Sequence, residues 1–133
     1  MANFIAKKLH FCRFLVFLRG HLVIGMKILV VTETDACCGP MAAAFLRDYS
    51  PSLEVVSAGK NPLESIDPMV VTVMKDCWID LSGYVPRDMK TLDVSDFDAV
   101  YDCPERSCVN TLDAYRELRD GIKNEAYLFF RGL

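Results

Sequence analysis

Histidine is almost absent from this chain: of its 133 residues only His10 and His21 carry an imidazole. Everything beyond position 21 therefore lacks the usual side chain for activating a hydroxyl nucleophile at neutral pH. Cys-x-x-Cys is missing too, since the six cysteines stand at 12, 37, 38, 77, 103 and 108. An adjacent pair chelates one metal ion poorly, so no zinc ribbon, other metal site or cofactor is expected. Long apolar runs are also lacking. Arg13 and Arg19 interrupt the apolar, basic segment from Phe4 to Ile24, and its longest apolar stretch, Phe14 to Leu18, falls far short of the ~20 residues that cross a bilayer. No small-x-small cleavage site precedes Met26, and Arg13 breaks the apolar centre that an export signal needs. A membrane partner is thus not expected, and the cysteines read as cytoplasmic thiols rather than a disulfide framework.

Acid is missing from the first 25 residues, where Lys7, Lys8, Arg13 and Arg19 meet no Asp or Glu. The remainder holds 11 basic residues against 18 acidic ones, a net of −7. Such a body offers no concentrated positive charge for nucleic acid. What the chain does have is apolar content, 52% of 15.0 kDa, enough for the core of one domain. Met26 opens that domain, which takes in residues 26–133, and residues 1–25 are read as an N-terminal extension.

Lys27 to Val31 is a β-branched, apolar run that suits a strand buried on both faces. The polar stretch Thr32 to Gly39 follows, and Pro40 then opens a helix through Met41, Ala44, Phe45 and Leu46. Leu53 to Ser57 reads as a second strand, closing at Gly59. Asp67 caps a helix whose first residue is Pro68 and whose apolar face is Met69, Val70, Val73 and Met74. Ala99-Val100-Tyr101 is a third strand, a helix spans about Val109 to Leu118, and Ala126 to Phe130 reads as a fourth strand. The alternation implies an α/β fold with three layers and a doubly wound, four-stranded parallel sheet, which binds its ligand at the carboxyl ends of the strands.

The loop between a first strand and its helix is a natural anion cradle. Here Lys27-Ile28-Leu29-Val30-Val31 enters it and Pro40-Met41-Ala42 leaves it, with Ser57-Ala58-Gly59, Asp67-Pro68 and Ile79-Asp80-Leu81-Ser82 following in order. In these motifs the chain resembles the low-molecular-weight protein tyrosine phosphatase and arsenate reductase family, whose loop reads Cys-x5-Arg followed by Ser or Thr. The resemblance places the loop at Thr32, Glu33, Thr34, Asp35, Ala36, Cys37, Cys38 and Gly39. Thr32 then stands at the nucleophilic cysteine, Cys37 at a frequent second loop cysteine and Cys38 at the arginine. A threonine hydroxyl without a nearby base does not replace a thiolate, and a thiol does not replace a planar, charged fork. Glu33 and Asp35 would add like charge beside a dianion, each costing on the order of 1 to 3 kcal/mol. The expected product is a degenerate member without cysteine-dependent phosphatase activity, with a binding or regulatory role toward a protein or small ligand.

The same resemblance carries an alternative, because arsenate reductases of this family use a loop cysteine and two later ones. Cys37 or Cys38 with Cys103 and Cys108 would then form a thiol relay, Arg106 helping to hold one thiol ionised. On the bland reading Cys37 and Cys77 are small buried hydrophobes, and Arg87 is a solvated loop charge. The family's general acid, an Asp-Pro after the fourth strand, has no counterpart past Asp67-Pro68, and the closing helix is expected to be missing. Something must then cover that face of the sheet: a helix formed by residues 4–22, with Phe11, Phe14, Leu15, Leu18 and Leu22 on one side, or a second copy in a homodimer.

Overall fold

The computed structural model describes residues 16–18, 21–23, 25–107 and 110–133. Strands β1 (Val16–Leu18) and β2 (His21–Val23) pair antiparallel with each other. The helix expected over residues 4–22 is therefore corrected at these two stretches, and its other positions lie outside the described residues. The body begins with β3 (Lys27–Thr32), then α1 (Cys38–Tyr49), β4 (Glu54–Gly59), α2 (Pro68–Lys75), two short 3-10 turns (Met89–Thr91 and Val94–Asp96), β5 (Ala99–Asp102) and α3 (Leu112–Arg131). The sheet runs β4-β3-β5, wholly parallel, with Ile28 opposite Val55 and Ala99.

Alternation along β3 divides the core. Ile28 and Val30 point into a large cluster with Met41, Phe45 and Leu46 of α1, Val70 and Met74 of α2, and Ile122, Ala126 and Phe130 of α3. Leu29 and Val31 point the other way, joining Ala58, Val56, Met89, Leu92 and Phe97. On that second side the two 3-10 turns supply the cover. The α1 helix is buried along its whole first part, Cys38 to Leu46, which its small residues Ala42, Ala43 and Ala44 permit. Asp67 caps α2 as expected, its Oδ1 accepting the Met69 amide at 2.9 Å, with Pro68 first in the helix.

Two expectations are corrected at the chain end. Among the described residues the parallel sheet has three strands, and residues 126–130 continue α3 instead of forming a fourth. The closing helix is therefore present. Thr111 caps it through the Ala114 amide at 3.2 Å, and Ile122, Ala126 and Phe130, spaced by four, are its buried stripe. The run Ala-Tyr-Leu-Phe-Phe is strand-like in composition, but its side chains sort by the helical period: Phe130 is buried while Leu128 is exposed. No described helix is long and apolar enough to cross a membrane.

Candidate functional site

The loop between β3 and α1 is held by its carbonyls. Those of Thr32, Glu33, Thr34 and Ala36 accept the amides of Lys60, Asn61, Leu63 and Asp67 at 2.8 to 3.1 Å. With these oxygens turned toward the segment after β4, the amides of Glu33 and Thr34 face the other way, an arrangement that receives an anion. Gly59 makes the approach possible, since a Cβ there would lie 3.0 Å from the Asp35 nitrogen, the Glu33 oxygen and the Thr34 carbonyl carbon, all backbone atoms unable to give way.

Asp35 is the pivot of the loop. It sits in the left-handed region at φ 51°, which Asp tolerates better than most residues. Its amide donates to Thr32 Oγ1 at 3.1 Å, while its carboxylate turns inward and is fully buried. Oδ2 accepts the Arg87 amide at 2.8 Å and the Tyr84 hydroxyl. Oδ1 has no partner among the described residues. Burial pushes this carboxyl above the usual range, partly offset by the Tyr84 and Arg87 bonds. Burial, with the neighbouring Asp35, pushes the Tyr84 phenol up as well. Arg87 acts through its backbone, and its side chain is exposed.

Thr32 lies beneath the loop, 2% exposed. A Cβ at Gly39 would fall 2.7 Å from its Oγ1 and 3.2 Å from its Cγ2. The branched side chain at 32 and the missing one at 39 thus fit together. Glu33 does not point into the cradle, because its Oε1 accepts from Asn61 Nδ2 at 2.6 Å.

The carboxylate that does occupy the cradle is Glu105. Its Oε2 accepts the Glu33 and Thr34 amides at 3.1 and 3.2 Å, and its Oε1 accepts the Thr34 hydroxyl at 3.2 Å. Sequence reasoning missed it. The signal was available in the topology: Glu105 stands just past β5, and in a parallel sheet the loops that leave neighbouring strands lie side by side. Beside it is a cleft of about 430 Å3, whose lining includes Thr34, Cys37, Asp67, Glu105, Arg106 and Tyr115. Asp67 is already engaged there, accepting the Tyr115 hydroxyl at 2.5 Å. Arg106 is paired with Glu125 of α3.

Of the thiols, Cys38 and Cys103 are buried, Cys37 is half-buried against the core, and Cys77 is half-buried outside it, which corrects the reading of Cys77 as a core residue. Interaction with the adjacent Cys37 and with the Arg106 amide holds Cys38 below the usual thiol range against its burial. Interaction with Cys38, together with burial, pushes Cys37 up. Cys103 leaves β5 with its amide on the Val31 carbonyl at 2.9 Å, and burial together with the nearby Cys38 pushes its thiol up to about 12. Cys108 lies outside the described residues. Among the described residues no three His, Cys, Asp or Glu side chains converge where a metal ion could sit.

Carbonyls turned out, amides turned in and a helix leaving the loop define a class of parallel α/β domains that seat an anion on backbone donors. The sequence matches the model of the family described as low molecular weight phosphotyrosine protein phosphatase over residues 27–124, and the chain belongs to that family. Solved structures agree in fold. The Wzb protein of Vibrio vulnificus, in complex with benzylphosphonate, is 18% identical with a TM-score of 0.70, covering 82% of this chain and 99% of its own. The low molecular weight protein tyrosine phosphatase of T. tengcongensis is 17% identical with a TM-score of 0.70, covering 81% and 99%. An arsenate reductase of Archaeoglobus fulgidus is 16% identical with a TM-score of 0.66, covering 77% and 97%. At these identities the likeness speaks for the fold alone. No curated protein matches the sequence significantly.

Proposed function

We propose that this chain is a family member without phosphate-ester hydrolysis that keeps its loop as a binding element, in a binding or regulatory role. The observation that carries this reading is the side chain at the nucleophile's position. Thr32 is buried, its oxygen already accepts the Asp35 amide, and among the described residues no titratable side chain is hydrogen-bonded to it to take its proton. The arginine's position holds Cys38, which is buried and cannot clamp phosphoryl oxygens. Purified protein is therefore expected to leave an aryl phosphate at the buffer rate. Thr32→Cys with Cys38→Arg supplies nucleophile and clamp but leaves Glu105 on the loop amides and no general acid, so only partial recovery of turnover is expected. Turnover by the unaltered chain, lost on Cys37→Ser or Cys38→Ser, would overturn the reading.

One observation favours the second reading, a thiol redox protein: Cys38 and Cys103 are buried in the same cluster, and Cys38 is the thiol held low. With hydrogen peroxide as oxidant, the Cys38 thiolate would give a sulfenic acid and hydroxide. The Cys103 thiol would then displace it, forming a disulfide and releasing water. Peptide mapping after mild oxidation is expected to find a Cys38–Cys103 or Cys103–Cys108 disulfide on this reading. Thiols that all remain alkylatable would remove it.

A further inference from the structure

Glu105 does more than fill space. Three donors meet its two oxygens, and none of them belongs to its own segment: the Glu33 amide, the Thr34 amide and the Thr34 hydroxyl, all at 3.1 to 3.2 Å. The segment carrying it is fixed on both sides of the residue. Cys103 is tied to β3 through the Val31 carbonyl, and the Arg106 guanidinium is tied to Glu125 of α3. The carboxylates that should repel another are out of the way. Glu33 is drawn to Asn61, Asp67 is engaged by the Met69 amide and the Tyr115 hydroxyl, and Asp35 faces Tyr84 and Arg87 under the loop.

We propose that the loop amides at Glu33 and Thr34, with the Thr34 hydroxyl, form a carboxylate-binding site of which Glu105 is the tethered occupant. A flat carboxylate bearing one charge matches two adjacent amides and one hydroxyl. A tetrahedral dianion asks for the arginine fork that Cys38 has replaced. Tethering presents Glu105 at an effective concentration of about millimolar or more, so a free carboxylate of weak intrinsic affinity does not displace it. The external ligand that suits the site is therefore an acidic side chain or chain terminus offered at comparable local concentration. This inference rests on the reading of the loop as a binding element.

The test is amide NMR of the full chain and of Glu105→Ala, titrated with acetate and, separately, with inorganic phosphate at constant ionic strength. The Glu33 and Thr34 amide signals are expected to move on substitution, while those of Leu29 to Val31 stay and report an intact sheet. Acetate should then shift the same two amides in Glu105→Ala at concentrations at least about tenfold below any that affect the unaltered protein. Should Glu105→Ala fail to fold, Glu105→Gln, which keeps the volume and loses the charge, takes its place with the same expectation. Amides that ignore the substitution, equal acetate response in both proteins, or a response to phosphate without one to acetate would each overturn the proposal. Aryl phosphate hydrolysis by the unaltered chain would instead overturn the non-hydrolytic reading, so the two failures are distinguishable.

Discussion

Asp35→Asn is expected to stabilise the protein at neutral pH, by about 1 kcal/mol or more, because it removes a buried charge while keeping the side chain's shape. The carboxylate is fully buried, and its Oδ1 is without a partner among the described residues. Asparagine keeps an oxygen for the Arg87 amide and the Tyr84 hydroxyl. Its amide group takes the place of Oδ1, so that a buried negative charge gives way to a neutral group of the same shape. The pH dependence has a definite sign. Burial raises the folded carboxyl above its unfolded value of 3.8, so the folded state binds the proton more tightly. The stability this contributes is present below the unfolded value and is lost as pH rises through the folded one. The positive charges of Arg87 and, more distantly, Arg47 temper the loss without reversing it. The advantage of Asp35→Asn should therefore be larger at pH 8 than at pH 4 in paired denaturant titrations. An advantage that shrinks as pH rises would show that the native carboxylate is a stabilising charge.

How much could be read in advance differs by element. The frame of β3, α1, β4 and α2 is legible because each signal is local: a β-branched run, a proline at a helix start, an Asp-Pro cap. The loop's bounds, Thr32 to Gly39, were legible for the same reason, set by the strand before it and by Pro40 after it. Two things were not local. Gly39 takes its meaning only from Thr32 across the loop, where a Cβ would sit 2.7 Å from the hydroxyl. Glu105 is separated from Glu33 by 72 positions and reaches it only because β5 pairs with β3. The electrostatic expectation for the loop accordingly named the wrong carboxylates, Glu33 and Asp35, since the backbone turned both aside. The chain end misled through composition: five consecutive apolar or aromatic residues suit a short strand as well as the end of a helix, and only the spacing back to Ile122 separates the two.

That spacing makes the sharpest test of the chain end. If residues 126–130 were a strand, Ala126, Leu128 and Phe130 would share one face, and truncating Leu128 or Phe130 would cost alike. On α3 they part: Phe130 is 6% exposed and lies 5.8 Å from the Tyr49 ring, while Leu128 is 58% exposed. Phe130→Ala is expected to cost about 3 to 5 kcal/mol, and Ile122→Ala, at 0% exposure, about 2 to 5 kcal/mol. Leu128→Ala should stay within about 0.5 kcal/mol. The two buried losses approach the whole stability of an ordinary domain, roughly 5 to 15 kcal/mol, so urea titration of each variant gives a wide margin. The consequence reaches the loop as well. Glu125 stands between Ile122 and Phe130 on the same helix and holds Arg106 next to Glu105, so a loosened α3 should free the segment that seats the carboxylate. In the Ile122→Ala protein the Glu33 and Thr34 amides should exchange with solvent faster at denaturant concentrations well below the global transition. Exchange that quickens only with global unfolding would mean that the Glu105 contact holds without support from α3.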